Sequence, residues 1–195
     1  MPLISNLLFT EYVATGLTTG SIYSFKVRAR NAFGFSDFSE PVAILAAQIP
    51  DRPAAPVTTF DRTVVIIDWA APFSQGSPIT GYKVLIRHAD GATFSEDLTN
   101  CDRLQMPTLQ CTVPVASLKT TPFELEWAGS VWAKVVAINA YGMSEESDAG
   151  NGAEIITYPD APVSFSEDFS LRTYNSVTLT WQEGAENGGS PVSSN

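Results

Sequence analysis

Every second residue is apolar over several short stretches of the chain. Val65, Ile67 and Trp69 are separated by Ile66 and Asp68; Tyr82, Val84 and Ile86 are separated by Lys83 and Leu85, with Arg87 following. Phe25, Val27 and Ala29 alternate with Lys26, Arg28 and Arg30. A period of two is the pattern of a strand with one wet and one dry face. No long stripe at 3.6-residue spacing with capping residues accompanies it. Gly76-Ser77-Pro78, Gly189-Ser190-Pro191, Pro50-Asp51 and Pro159-Asp160 punctuate the strands as turns and boundaries. The pattern predicts an all-β chain.

The pattern also repeats. Residues 23–36 match residues 131–144, an offset of 108, and Leu17 and Leu125 share that offset. Val64–Trp69 resembles Ser176–Trp181 at an offset of 112, and Gly76–Ile79 resembles Gly189–Val192 at 113. Ile49-Pro50-Asp51 corresponds to Tyr158-Pro159-Asp160 at 109. A period near 110 residues is too long for a solenoid unit and fits one small sandwich per repeat.

These motifs carry a family resemblance. The strand ending at Trp69, then Pro72, then Gly76 through Val84, resembles strands B and C of a fibronectin type III domain. Leu17, followed by Tyr23 to Asn31 and Gly34, resembles that family's tyrosine corner and strand F. The resemblance covers nearly the whole chain, with the motifs in the family's order. It implies tandem immunoglobulin-like (fibronectin type III) β-sandwiches, with strands A, B and E packed on C, C′, F and G. It also makes Trp69, Tyr82, Tyr23 and Trp181 the expected core anchors. Two departures occur. Val131 stands at the tyrosine-corner position of the second repeat, where Phe123, Leu125 and Trp127 lie close enough in sequence to fill the corner. The segment carrying Cys101 and Cys111 lies between the expected strands C′ and E. Together these features resemble repeats of very large surface proteins of protists.

On this parse residues 49–158 are one complete domain with an inserted cysteine-containing segment. Residues 1–48 hold strands E to G of a preceding domain, and residues 159–195 hold A, B and the start of C of a following one. A half sandwich exposes an apolar face and unpaired edges, and pieces below about 40–50 residues seldom bury enough surface to fold alone. The expectation is a stretch cut from a longer array, with completion between neighbouring chains in a head-to-tail filament as the second reading.

Charge and chemistry narrow the function. The chain has 195 residues and a net charge of −10. That balance disfavours nucleic acid and anionic lipid as partners. No apolar run approaches a membrane span, and Met1-Pro2-Leu3-Ile4 lacks the pattern of a signal peptide. Glu145, Glu146 and Asp148 form the densest acidic cluster and read as a solvated loop, without the spacing of a calcium-binding helix–loop–helix. The two cysteines, ten positions apart, read first as a local disulfide and second as two part-buried thiols; a disulfide would place the chain in an oxidising compartment. With one histidine, His88, neither a zinc set nor a nucleophile–histidine pair is framed, and no phosphate- or dinucleotide-binding fingerprint or other cofactor motif occurs. Glu124 and Glu126 alternate with apolar residues as the wet face of a connection. No Arg-Gly-Asp tripeptide and no N-glycosylation sequon is present.

One surface stands apart. If Ala133, Val135 and Ala137 face the core, then Trp132, Lys134, Val136 and Ile138 face out, joined by Leu85. The matching positions of the first repeat are Ser24, Lys26, Arg28 and Arg30. An apolar strip rimmed by Lys83, Arg87 and Lys134 reads as an interaction face, or as a face covered by the Cys101–Cys111 segment. The functional expectation is a non-enzymatic structural or adhesion repeat of an extracellular or cell-surface array. It would act as spacer and protein-interaction module toward other proteins or copies of itself. The alternative is a receptor ectodomain segment that binds one protein ligand.

Overall fold

The computed structural model describes residues 7–102 and 109–193. The readings that rest on Met1–Ile4 and on the last two positions lie outside the described residues. In chain order the strands are β1 (Ile22–Phe25), β2 (Arg30–Asn31), β3 (Gly34–Phe35), β4 (Val42–Leu45), β5 (Val57–Asp61), β6 (Val64–Asp68), β7 (Ile79–Arg87), β8 (Phe94–Glu96) and β9 (Gln110–Pro114). A helical turn, α1 (Val115–Leu118), precedes β10 (Ser130–Asn139), β11 (Gly142–Met143), β12 (Gly150–Glu154), β13 (Val163–Glu167) and β14 (Leu179–Gln182). A 3-10 turn at Phe169–Leu171 separates the last two strands.

The large core lies between two antiparallel sheets. One has the order β5-β6-β9. The other has the order β11-β10-β7-β8, with β12 also paired to β10. This is the A-B-E over G-F-C-C′ arrangement implied by the family resemblance. The period-two pattern explains which side chains meet. Val65 and Ile67 of β6 point inward and are opposite Val113 and Cys111 of β9. On β10, Ala133, Val135 and Ala137 are opposite Ile86, Val84 and Tyr82 of β7, so small residues face large ones across the ladder. Trp69 packs its ring 5.4 Å from that of Tyr82, both buried. Burial of one such aromatic side chain contributes on the order of 2–3 kcal/mol. Thr58 ties the sheets together from inside: its buried hydroxyl donates to the Val131 carbonyl at 2.9 Å and accepts from the Ala153 N–H at 3.0 Å.

Val131 is fully buried, and Phe123 and Leu125 pack in the same core beside Leu118, with Trp127 half-buried against them. The first repeat keeps the tyrosine: the Tyr23 hydroxyl accepts from the Thr18 N–H at 2.8 Å. Cys101 and Cys111 are joined by a disulfide with Cα atoms 5.5 Å apart, and both are buried in the core.

Two expected anchors differ. Trp181 is 60% exposed: among the described residues β14 pairs only with β13, and its ring has Phe165, also exposed, at 6.5 Å. Tyr23 is half-buried, because β1 pairs only with β4 and no second layer of described residues covers that ribbon. An aromatic residue in a strand pattern becomes a core residue only when a second sheet lies against it.

Candidate functional site

The candidate face is the outer side of the β10-β7-β8 sheet. The pleat sends Trp132, Lys134, Val136 and Ile138 of β10 outward, next to Lys83, Leu85 and Arg87 of β7 and Phe94 and Glu96 of β8. The register sets Lys134 opposite Leu85, Val136 opposite Lys83, Leu85 opposite Glu96 and Arg87 opposite Phe94.

The strip is not open. Leu85 is only 6% and Val136 only 4% exposed, while Trp132 and Ile138 are half-buried. Charged side chains roof it. Lys83 pairs with Glu96 at 2.9 Å, and Lys134 pairs with Glu146 at 2.9 Å. The Lys134 ammonium lies 4.5 Å from the centre of the Phe94 ring, and the Arg87 guanidinium lies 4.7 Å from that of Trp132. Long stems cover apolar surface while their charged heads reach water or a carboxylate. The reading of Leu85 and Val136 as exposed contact residues is therefore corrected. The alternative cover is corrected as well for its described part, because Cys101 and Cys111 sit inside the sandwich and not over this face.

The acidic cluster is bonded to the frame. Glu146 holds Lys134, and the Asp148 carboxylate accepts from Arg52 at 2.6 Å. Arg52 also donates through Nε to the Glu146 carbonyl at 2.6 Å. His88 is half-buried, with Nε2 at 2.8 Å from the Ser95 hydroxyl and its ring edge-on to Phe123. Glu124 and Glu126 are exposed. Asp90 sits in a tight loop where its carboxylate accepts from the Thr93 hydroxyl and from the Thr93 and Ala92 N–H groups. Those donors, the Thr93 hydroxyl first, lower its pKa to about 2. Among the described residues no group of three or more His, Cys, Asp or Glu side chains could hold a metal ion, and no helix is long and apolar enough to cross a membrane.

Four serines carry a device that the hydrophobic pattern does not reveal. Ser144 donates its N–H to the Ala137 carbonyl at 2.9 Å, and its hydroxyl accepts from the Ala137 N–H at 3.0 Å. Ser147 does the same with Val135, both bonds at 2.9 Å. In the first repeat Ser36 pairs in this way with Ala29 at 2.9 and 2.9 Å, and Ser39 with Val27 at 2.8 and 3.1 Å. Each hydroxyl then donates to the carbonyl of the next residue, Asp37, Glu40, Glu145 or Asp148. A hydroxyl has one proton and two lone pairs, so it can stand in for a ladder carbonyl and still satisfy its own donor. The sequence signal was there to find: Ser36 and Ser39 recur as Ser144 and Ser147 at the offset of 108.

No family model matches the chain. It is 28% identical to human Myomesin-2 over 194 residues, which is 95% of this chain and 12% of that protein. It is 36% identical to human Fibronectin type-III domain-containing protein 3A over 76 residues, 38% of this chain and 6% of that one. With Cell adhesion molecule Dscam1 of Drosophila melanogaster it shares 29% identity over 164 residues, 81% of this chain and 7% of that one. The chain thus spans about an eighth or less of the length of these relatives. With this sheet order the chain folds as an immunoglobulin-like β-sandwich, and its relatives include a protein named for its fibronectin type III domains.

Proposed function

We propose that this chain is a non-enzymatic segment of a long fibronectin type III array that acts as spacer and protein-interaction module at the cell surface. The observation that carries this reading is the hairpin built twice: Ser36 and Ser39 make the same bonds as Ser144 and Ser147 in the next repeat. A chain that repeats its backbone chemistry in this way is a row of modules. On this reading residues 49–158 are one whole module, and residues 1–48 and 159–195 are parts of its neighbours. The buried Cys101–Cys111 bond supports an oxidising, extracellular setting. Its partners are other proteins or further copies of the same array.

Stretching single molecules of the parent protein tests the proposal. A spacer array yields a train of unfolding events, each releasing about 360–400 Å, since about 110 residues extend at roughly 3.3–3.6 Å apiece. A trace without a recurring increment of that length overturns it. A single saturable protein ligand, combined with only one such event, would turn the reading to a receptor ectodomain.

A further inference from the structure

The chain contains two places where one repeat meets the next, and the same backbone bonds form at both. At the first, the Gly20 N–H donates to the Ala46 carbonyl at 2.8 Å, Gln48 N–H to Gln75 at 3.1 Å and Asp51 N–H to Phe73 at 2.9 Å. At the second, Ala128 N–H donates to Ile155 at 2.9 Å, Thr157 N–H to Gly188 at 2.8 Å and Asp160 N–H to Glu186 at 2.9 Å. Donor for donor the two sets are 108 or 109 residues apart, matching the sequence repeat. The Gly20 and Ala128 bonds close the corner of the preceding repeat, whereas a linker between free modules would leave the Gln48, Asp51, Thr157 and Asp160 N–H groups to water. Here the linker is bonded to the loop between the second and third strands of the module that follows.

A glycine presses that loop into the preceding repeat. Gly76 has φ +85°, and a Cβ built on it would lie 2.6 Å from the Gly20 nitrogen and 2.8 Å from the Ala46 oxygen. Gly189 has φ +88°, and its Cβ would lie 2.7 Å from the Ala128 nitrogen and 3.1 Å from the Ile155 oxygen. These contacts are with backbone, which cannot swing aside, and the left-handed φ already disfavours other residues. At the first joint Asn139 adds a bond from Nδ2 to the Gln48 carbonyl at 2.8 Å.

We propose that this loop is a docking surface for the neighbouring repeat, that it holds consecutive repeats at one fixed angle, and that Gly76 and Gly189 are its specificity-determining residues. The partner is the corner of a preceding repeat of the same kind, closed by its own Gly20–Ala46 or Ala128–Ile155 backbone bond, against which the glycine of the loop packs. This rests on the array reading, and it adds that the array turns by the same rotation at each joint, since identical heterologous contacts generate a regular open helix.

The test uses the full chain with its disulfide intact and spin labels at two exposed strand positions, Ser24 and Thr112, read by pulsed electron resonance. The expected result is one narrow distance distribution, broadened at least about twofold by Gly76→Val. Gly91→Val is the control, because Gly91 also has a left-handed φ, +74°, but nothing lies within 4 Å of its added Cβ. That variant keeps the narrow distribution, which separates loss of the joint from backbone strain alone. Amide hydrogen exchange of β6, β7 and β10 verifies that both variants stay folded. A broad distribution in the unsubstituted chain, or an unchanged one in folded Gly76→Val, overturns the proposal. The stretching experiment would be unaffected by either outcome, since flexibly joined modules also unfold one by one.

Discussion

At the scale of single residues, environment decides what each side chain contributes. Trp69 ends an alternating strand and is 7% exposed, so its burial is nearly complete. Its indole N–H has no hydrogen-bond partner among the described residues. Alanine leaves a cavity the size of the whole indole, whereas phenylalanine keeps a ring in place and removes a donor that has no partner among the described residues. Trp69→Ala is therefore expected to destabilise the chain by about 3–5 kcal/mol, and Trp69→Phe by clearly less. Denaturant titration of both variants checks this, and equal losses would contradict it. Asp90 gives a prediction of another kind. Its folded pKa, about 2, lies below the ordinary carboxylate value of 3.8. A depressed carboxylate stabilises the fold above its unfolded pKa and loses that contribution as pH falls through the folded value. The loop at Asp90 should thus loosen as pH falls from about 4 to about 2. A carboxyl titration by NMR with a midpoint near 4 would contradict this.

Elements depend on bonds that strand propensity does not supply. After β11 the chain returns along β10 with serine hydroxyls in place of some ladder carbonyls. Ser144 and Ser147 are buried where they accept from Ala137 and Val135. Alanine at either position leaves a buried N–H unpaired, which costs about 1–3 kcal/mol. Ser36 and Ser39 make the same bonds in exposed positions. Water can replace those hydroxyls, so Ser36→Ala should cost about 0.5 kcal/mol or less. Thermal unfolding of the paired variants reads the contrast. Equal losses would mean that burial is not what gives the hydroxyls their weight. The same scale explains the candidate face. Leu85 and Val136 are apolar on the outer side of a sheet, yet lysine, arginine and glutamate side chains from three strands and the adjoining loop close over them.

For the molecule as a whole, the disulfide links fold to location. Cys101 lies in the connection after β8 and Cys111 on β9, so the bond ties that connection to the β5-β6-β9 sheet. It closes a short loop, for which the chain-entropy model gives about 2–3 kcal/mol. Protein isolated from its native source under alkylating conditions should show no reactive thiol, and reduction should lower its unfolding midpoint accordingly. Two alkylated cysteines in the untreated protein would remove the support for an extracellular setting.

The alternation at Val65–Trp69 and Tyr82–Ile86 determined the strands, and the polar Asp68, Lys83 and Arg87 on the alternate positions marked which face is turned to water. The offset of 108 likewise determined that the chain is repetitive, and the serine pairs were legible in it. Tertiary structure decided the rest. Trp69 and Trp181 stand at matching positions; Trp69 is buried where the β10-β7-β8 sheet lies against it, and beside Trp181 the described residues supply only the β13-β14 ribbon. Val136 and Leu85 read as an open apolar strip until the register set Lys83, Lys134 and Glu96 over them. Gly76 and Gly189 read as ordinary turn residues. Only the approach of another repeat's backbone to within 3 Å of an added Cβ shows why a side chain has no room there.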